Sequence, residues 1–200
     1  MASRTRERLI DVARQLFARK GIENTTMNDI ATASDRGRRT IYTYFRTKSE
    51  IYQAVIEDES ARIIKELSQT IESRITPGDK LRALMEYRIK FVVDSPSSGD
   101  VWLKSFFSRD AKRANSVRAM TAERIYDMID KIIAAGVASG DFDPVQAQRL
   151  PSMLAMIIRG SDLALMRDSE RELAEQWREQ CINFIIDAVE NKKKTYIHSK

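Results

Sequence analysis

Residues 24–48 read NTTMNDIATASDRGRRTIYTYFRTK, and this stretch decides the fold of the amino-terminal part of the chain. Thr25 or Thr26 can cap a first short helix, because a side-chain hydroxyl can accept a hydrogen bond from an otherwise unpaired backbone N–H. Apolar residues then recur at helical spacing, at Met27, Ile30 and Ala31. A break follows at residues 34–37, where Asp and Gly tolerate the backbone angles of a tight turn. The pattern predicts a short helix that ends in a turn.

A second short helix is predicted to begin at Arg38, with Ile41 and Phe45 on its inner side. Two short helices joined by about four residues form the geometry that places a recognition helix in the major groove of DNA. Basic side chains stand at both ends of this segment, at Arg38, Arg39, Arg46 and Lys48. Such groups suit DNA phosphates and guanine edges. The segment therefore predicts DNA binding.

The directions of the side chains on the second helix follow from the advance of about 100° per residue. Relative to the direction of the two inward residues, Arg39, Thr40 and Thr43 all point about 120° or more away, so these three are predicted to face outward. Tyr42 and Tyr44 lie on opposite flanks of the helix. There a phenol can reach a phosphate or pack over the neighbouring helix, and both outcomes stay open.

Base reading is predicted for Arg39 and Arg38, because arginine can pair two donors with O6 and N7 of guanine. An arginine pair near a helix start can also be ordinary solvated surface. Thr26 and Asn28 on the preceding helix are expected to touch the DNA backbone, and backbone amides could join Lys48 in holding a phosphate. The predicted DNA-binding residues are Thr26, Asn28, Arg36, Arg38, Arg39, Thr40, Tyr42, Thr43, Tyr44 and Lys48.

The segment resembles the Tet repressor (TetR) family of transcriptional regulators. The matching residues are Gly21, Thr25, Thr26, Ile30, Ala31, Thr40, Ile41, Tyr42, Tyr44, Phe45 and Lys48. In the inter-helix turn the family usually shows Ala-Gly-Val-Ser-x-Gly, whereas residues 34–39 read SDRGRR, which is more polar and more basic. The resemblance implies base or phosphate roles for Thr40, and phosphate roles for the two tyrosines and Lys48.

Charge divides the chain into two parts. Residues 1–48 hold 11 Lys/Arg and 5 Asp/Glu, a net charge of +6, whereas the remaining residues hold 23 and 24, a net charge of −1. A basic head on a neutral body is expected when a phosphate-binding domain is joined to a domain that does not bind DNA. We therefore predict a helix-turn-helix DNA-binding domain at residues 1–48 and a ligand-binding and dimerisation domain at residues 49–200.

Helical periodicity continues along the whole chain without a convincing alternating strand, so the predicted fold class is all-α. An N-terminal three-helix helix-turn-helix domain plus a C-terminal six-helix domain is also the architecture of the family that the chain resembles. The body helices are predicted over residues 49–72, 79–94, 102–107, 110–139, 144–167 and 169–191. Pro151 is expected either near the start of its helix or at a kink. The helix that begins near Lys48 is expected to join head and body rigidly.

Several classes of protein are not expected. No run of about 18 apolar residues occurs, so no membrane span is predicted, and the amino terminus lacks the apolar segment of a secretory signal. Cys181 is the single cysteine, which rules out an intramolecular disulfide and favours a reducing cytoplasm. The one histidine, His198, has no partner pattern for catalysis, and neither a Gly-rich phosphate loop nor Cys/His metal spacing is present. We expect no enzyme, no cofactor and no metal.

Aromatic and methionine residues concentrate in the body, where such residues are most often plain core. The resemblance implies a cavity for a small molecule there. Methionine adapts to irregular ligands, and pockets are mainly apolar with a few oriented polar groups. The predicted pocket residues are Met85, Arg88, Phe91, Trp102, Phe106, Met120, Met153 and Met156. They favour an apolar or amphipathic ligand.

Broad apolar stripes mark the last two predicted helices, and small residues there would let helices approach closely. Two such helices packed against their symmetry copies would form a four-helix interface, which is the dimer of the family. Burial within one chain accounts for part of each stripe. The predicted interface residues are Leu154, Ile157, Gly160, Ser161, Ala164, Trp177 and Phe184.

Together these observations predict a cytoplasmic, homodimeric transcriptional regulator, more a repressor than an activator, with an operator of two half-sites. A small-molecule effector is expected to release it from DNA. Two alternatives stay open. A nucleoid-type DNA-binding protein without an effector would bind DNA with strong salt dependence and little sequence preference. A small-molecule-binding protein whose head has lost its DNA role would show no specific DNA binding.

Overall fold

A computed structural model describes the backbone of residues 2–94, 111–164 and 168–191, and the side chains of residues 4–91, 115–158 and 176–191. Nine helices lie in these residues: α1 (Ala2–Lys20), α2 (Met27–Ala33), α3 (Arg38–Tyr44), α4 (Lys48–Glu72), α5 (Pro77–Asp94), α6 (Ala111–Ala138), α7 (Pro144–Ala147), α8 (Leu150–Ala164) and α9 (Asp168–Val189). Extended backbone pairs there in one isolated bridge, between Phe142 and Glu190. The all-α prediction is confirmed.

The single helix predicted over residues 144–167 is wrong, because two helices, α7 and α8, occupy this part of the chain. The carboxylate of Asp143 caps α7 by accepting hydrogen bonds from the backbone N–H groups of Val145 and Gln146, at 2.9 and 3.0 Å. Pro151 is the second residue of α8, where a missing N–H costs no helical hydrogen bond. It therefore lies near a helix start, one of its two predicted places. The aromatic-rich helix predicted over residues 102–107 lies outside the described residues.

The chain folds as two compact units. Among the described residues, the first unit holds 2–62 and 111–120, and the second holds 63–94, 121–164 and 168–191. The limits fall inside α4 and α6, so each of these helices contributes to both units. The division into domains at residues 48 and 49 stays a prediction.

The core of the first unit forms where α1, α2, α3 and the start of α4 bury their apolar sides. The buried residues of α1 recur with the helical period, at Leu9, Ala13, Leu16 and Phe17. The other helices contribute Ile30, Ile41, Phe45, Ile51 and Tyr52. The rings of Phe17 and Tyr52 meet edge to face, with centroids 5.7 Å apart. Each fully buried Leu, Ile or Phe side chain stabilises the unit by roughly 1.5–3 kcal/mol. This burial keeps the two short helices, α2 and α3, attached to α1 and α4.

The core of the second unit draws on α4 to α9. Its fully buried members include Leu67, Leu81, Leu84, Ile129, Phe142, Leu154 and Ile182. The end of α9 is fixed to the connection between α6 and α7. The backbone N–H of Asp143 donates to the carbonyl of Val189, and that of Asn191 to the carbonyl of Asp141, both at 2.8 Å. These two bonds hold the last described helix against the unit.

Phe142 packs directly on Gly136 of α6. A Cβ atom at Gly136 would lie 2.2 Å from Cδ2 of the Phe142 ring, so only glycine fits. The backbone N–H groups of Asp141 and Phe142 both donate to the carbonyl of Gly136, at 2.9 and 3.0 Å. Ring and helix therefore cannot separate without breaking these bonds.

We predict that Gly136→Ala lowers the free energy of unfolding by roughly 1–3 kcal/mol, because overpacking forces the buried ring or the backbone to move. Urea unfolding followed by circular dichroism measures the change. Gly78→Ala is the control, since its new methyl group would have Thr76 Oγ1 as nearest neighbour at 3.9 Å. That change is expected to be neutral or to stabilise by up to about 1 kcal/mol. Equal effects of the two substitutions would contradict the prediction.

Candidate nucleic-acid interface

The start of α2 is fixed by a capping box between Thr26 and Asp29. Thr26 Oγ1 accepts a hydrogen bond from the backbone N–H of Asp29 at 3.1 Å, and Asp29 Oδ2 accepts one from the backbone N–H of Thr26 at 2.8 Å. The hydrogen bonds with Thr26, and to a lesser extent the charge of Lys20, lower the pKa of Asp29 from its ordinary value of 3.8. Thr26 is exposed, so its hydroxyl proton can still be donated to a phosphate. Thr-x-x-Asp is the signal by which Asp29 could have been found from the sequence.

The turn between α2 and α3 is closed by Ser34 and Asp35. Ser34 Oγ donates to the carbonyl of Ala31 at 3.0 Å, and the backbone N–H of Arg36 donates to the same carbonyl at 3.0 Å. Asp35 has a φ of 55°, the one positive φ outside glycine among the described residues. Gly37 has a φ of −63° and a ψ of 147°, an extended conformation that any residue can adopt. Of the two residues predicted to suit the turn, Asp35 takes the left-handed conformation.

In this turn the chain departs from the family pattern at two positions whose backbone conformation is described above. In that pattern glycine stands at the place of Asp35 and serine at the place of Gly37. Asp is one of the few residues other than glycine that visit the left-handed region routinely. Gly37 precedes α3 as its N-cap and offers no side chain to bond the free N–H groups of the helix. Asp35 and Gly37 thus occupy a left-handed turn position and an N-cap position, to which glycine and serine respectively are better suited.

The outer face of α3 carries basic and hydroxyl side chains. Ile41 and Phe45 are buried in the first unit, whereas Arg38, Arg39 and Thr43 are exposed. Arg39 and Thr43 lie one helical turn apart, and Thr43 Oγ1 donates to the carbonyl of Arg39 at 3.0 Å. The helix therefore turns its apolar side to the core and presents these residues to solvent.

The remaining predicted residues of α2 and α3 border this face. Asn28 of α2 and Arg36 of the turn are exposed. Tyr42 is 44% exposed and Tyr44 is half-buried, so the two flanks of α3 differ. Thr40 is half-buried and therefore less exposed than predicted. Polar groups thus extend from the start of α2 to the end of α3.

Lys48 makes contacts inside its own unit. Its Nζ donates to the carbonyl of Ile22 at 2.7 Å and to that of Glu23 at 3.3 Å, both in the connection between α1 and α2. An ammonium group has three donors, so these bonds leave one for a phosphate. Sequence reasoning did not foresee these bonds, because the partners are 26 and 25 residues away.

Thr47 is the N-cap of α4. Its Oγ1 accepts a hydrogen bond from the backbone N–H of Glu50 at 3.2 Å, while Glu50 Oε2 accepts one from the backbone N–H of Arg46 at 2.7 Å. The chain between α3 and α4 is therefore bonded on both sides, which fixes the place of Lys48 relative to α3.

Two arginines of α1 support the helix-turn-helix, and neither had a predicted role. Arg8 Nε donates to the carbonyl of Ser34 at 3.3 Å, at the end of α2. The guanidinium of Arg6 lies over the Phe45 ring, with Cζ 5.3 Å from the ring centroid, a cation–π arrangement. Both arginines contribute to the net charge of residues 1–48. Their contacts follow only from the tertiary structure.

Arg14 joins α1 to α4 through carboxylates. Its guanidinium contacts Asp11 at 2.7 Å and also Asp58, and its Nε lies 2.6 Å from Glu59 Oε1. Arg62 contacts the other oxygen of Glu59, whose side chain is only 4% exposed. A buried carboxylate needs such partners, because removing one member of a buried pair costs roughly 3–5 kcal/mol. The first part of α4 is therefore attached to the head well beyond its first turn.

Three of the predicted pocket residues lie on one side of α5. Met85, Arg88 and Phe91 are spaced three residues apart, so they share a helix face. Met85 and Arg88 are buried and Phe91 is half-buried. The ring of Phe91 stacks on that of Tyr87 with centroids 6.3 Å apart, and the Tyr87 hydroxyl donates to Glu66 Oε2 at 3.0 Å. This face combines apolar surface with a buried cation.

The other predicted pocket residues lie elsewhere. Met153 and Met156 are exposed on α8, and Met120 is an exposed residue of the first unit. Exposed methionines are surface groups in this chain, so nothing in the described structure encloses a ligand with them. Trp102 and Phe106 lie outside the described residues.

The predicted interface residues separate into buried and exposed ones. Leu154 is fully buried in the core of the second unit and offers no surface to a partner. Ile157 on α8 is exposed, and so are Trp177 and Phe184 on α9, at 52% and 72%. Gly160, Ser161 and Ala164 belong to α8, but their side chains lie outside the described ones.

Two further kinds of site are absent from the described residues. No helix there is long and apolar enough to cross a membrane. In the same part of the chain, no three His, Cys, Asp or Glu side chains gather as a metal ion would require.

Comparison with family models gives two matches. Residues 9–55 match the model described as bacterial regulatory proteins, tetR family. Residues 74–161 match the model described as tetracyclin repressor-like, C-terminal domain. The first match contains α2 and α3 with the whole polar surface described above, and the second contains α5.

Known relatives match over the amino-terminal half. The chain is 34% identical to the HTH-type transcriptional regulator AcrR of Shigella flexneri over 88 residues, which are 44% of this chain and 40% of that protein. It is 28% identical to an HTH-type transcriptional regulator of Staphylococcus aureus over 94 residues, 47% of this chain and 51% of that protein. The chain therefore spans about half the length of the relatives it matches, or less.

Solved structures match along nearly the whole chain. A TetR transcription regulator from Haloarcula marismortui superposes with a TM-score of 0.79 at 19% identity, covering 94% of this chain and 100% of that one. A TetR transcriptional regulator from Chloroflexus aurantiacus gives a TM-score of 0.73 at 21% identity, covering 94% and 98%. At these identities the likeness shows the fold alone.

Proposed function

Because the chain belongs to the tetR family of bacterial regulatory proteins, we propose that it binds an operator in DNA through α2 and α3 and represses transcription in the cytoplasm. The observation that carries the proposal is the two-sided character of α3. Its apolar side is buried at Ile41 and Phe45, and its other side presents Arg38, Arg39 and Thr43 to solvent. A helix of this kind matches the recognition helix of a helix-turn-helix.

Roles on this surface follow from chemistry and position. Arg39 and Arg38 read guanine, because each can donate two hydrogen bonds to one base edge. Thr26, Asn28, Arg36, Tyr42 and Tyr44 surround them and position the head on phosphates, together with Thr40. Lys48 also contributes one remaining N–H to a phosphate, while its other bonds hold the connection between α1 and α2.

Selection of bound fragments from a random DNA pool tests the proposal directly. We expect one enriched sequence with two inverted half-sites. Retention of DNA with strong salt dependence and no enriched sequence would indicate a nucleoid-type protein. Absence of DNA binding would indicate a small-molecule-binding protein that has lost its DNA role.

We predict that Arg39→Lys keeps the affinity for random DNA and weakens binding to the enriched operator by about fivefold to a hundredfold. The charge is retained, but the planar fork that pairs with guanine is lost. Fluorescence anisotropy on both DNAs at one salt concentration measures the two affinities. Arg46→Lys is the matched control, because Arg46 is also exposed but follows α3, and it should change neither affinity markedly. Equal weakening on both DNAs by Arg39→Lys would assign Arg39 to phosphate contact.

We further propose that the chain acts as a homodimer joined through α8 and α9. The support is the exposed apolar surface of these helices, at Met153, Met156, Ile157, Trp177 and Phe184. Trp177 and Phe184 are seven residues apart and therefore lie on one side of α9. Large exposed apolar patches rimmed by polar residues mark interaction sites. A two-fold dimer would present two heads to two half-sites.

Phe184→Asp is predicted to shift the protein from dimer to monomer at micromolar concentration, since a carboxylate would be desolvated in the interface. Analytical ultracentrifugation measures the shift. Ile75→Asp is the control, because Ile75 is 91% exposed between α4 and α5 and should leave the dimer intact. A monomeric unaltered protein would refute the interface.

A small-molecule effector that releases the operator is the third element of the proposed function. Its supporting observation is the face of α5 with Met85, Arg88 and Phe91, where a buried guanidinium lies among apolar groups. An amphipathic molecule with a hydrogen-bond acceptor or an acidic group suits such a face. Trp102 and Phe106, which lie outside the described residues, stay predicted members of the site.

Coupling between effector and operator must be reciprocal, because only differential affinity for two states shifts their equilibrium. A molecule found in a screen for operator release should bind the free protein and the operator complex with different Kd values. A tenfold difference corresponds to about 1.4 kcal/mol. Calorimetric titration with and without operator measures both values, and Arg88→Gln should weaken the effector without changing operator affinity in its absence. Identical Kd values would reject the switch.

A further inference from the structure

The Thr43 hydroxyl can both donate and accept a hydrogen bond, and its donor is already used within α3. Its Oγ1 donates the hydroxyl proton to the carbonyl of Arg39, four residues earlier in α3, at 3.0 Å. This bond from a threonine to the preceding turn holds the hydroxyl close to the helix backbone. Thr43 is nevertheless exposed on the same side of α3 as Arg39. While this bond is kept, the hydroxyl proton is not available to a phosphate or to an acceptor on a base.

The methyl group is what Thr43 has left to offer to a base edge. Of the four base pairs' major-groove edges, only those with thymine carry a methyl group, and a threonine methyl makes an apolar contact with it. We propose that Thr43 is a specificity-determining residue that selects a thymine in each half-site through its methyl group. This inference rests on the proposed function of α3 as a recognition helix.

The same hydrogen bond argues against a polar contact between the Thr43 hydroxyl and a base. The hydroxyl oxygen keeps lone pairs that could accept from the amino group of adenine or cytosine. That oxygen lies 3.0 Å from the carbonyl oxygen of Arg39, so it lies against the backbone and not at the outer edge of the side chain. An amino group would have to approach the helix closely to reach it, whereas the methyl group needs only contact.

The spacing on α3 also places the thymine relative to a guanine. Arg39 and Thr43 are four residues apart, about 6 Å along the helix axis. Stacked base pairs are about 3.4 Å apart. The thymine selected by Thr43 should therefore lie within about two base pairs of the guanine that Arg39 reads.

Replacement of single thymines by deoxyuridine tests the proposal, because this change removes only the methyl group. Each thymine of the enriched operator is replaced in turn, in both half-sites together, and the Kd of the unaltered protein is measured. One position is expected to weaken binding by about fourfold per half-site, the effect of one methyl group leaving an apolar contact. A scan in which no position responds overturns the inference, while an absence of any enriched operator overturns the proposed function instead.

Two variants assign the effect to Thr43. Thr43→Ser keeps the hydroxyl and loses the methyl group, so it should bind the thymine operator about fourfold more weakly per half-site and no longer distinguish it from the deoxyuridine operator. Thr43→Val keeps a methyl group without the hydroxyl and should retain the discrimination. If Thr43→Ser still distinguishes the two operators, or Thr43→Val does not, the inference is overturned. Thermal unfolding of both variants checks that α3 stays folded.

Discussion

The burial of Ile41 and Phe45 is the interaction on which the rest of the recognition surface depends. α3 has seven residues, and isolated helices shorter than about 12–15 residues are marginal in water. Its existence and its direction therefore come from these two side chains in the core of the first unit. Because these two side chains point inward, the helical period directs Arg39 and Thr43 toward solvent. Packing on the inner side of the helix therefore determines which side chains the outer side presents to DNA.

Positive charge in the head serves two separate purposes. Some of it is used inside the protein, where Lys48 and Arg8 donate to backbone carbonyls and Arg6 lies over an aromatic ring. Other basic side chains, such as Arg38 and Arg39, are exposed to solvent. The count of 11 Lys/Arg in residues 1–48 therefore overstates the number of cations that can replace counterions on DNA.

Local patterns predicted most of the fold, and tertiary contacts account for what they missed. Helical period, turn residues and the inward direction of Ile41 follow from short-range geometry, so the all-α class and the outer face of α3 could be predicted. The break between α7 and α8 was not predicted, because α7 has only four residues between its two signals, Asp143 and Pro151. The bonds of Lys48 to residues 22 and 23 and the contact of Arg14 with Asp58 were not predicted, because each joins residues 25 or more positions apart. No periodicity encodes such a pairing. The same limit applies to the pocket, since periodicity shows that Met85 is inward but not what surrounds it.

The mounting of α4 on the head has a mechanical consequence. The helix is fastened near its first residue by Lys48 and again at Asp58 and Glu59 by Arg14. These two points are about 16 Å apart along the helix axis, the length of some eleven residues. A helix held at one point could rotate about that point. A helix held at two points cannot rotate without moving the helices to which it is attached. The first three turns of α4 therefore keep their place relative to α1 and act as one piece with the helix-turn-helix.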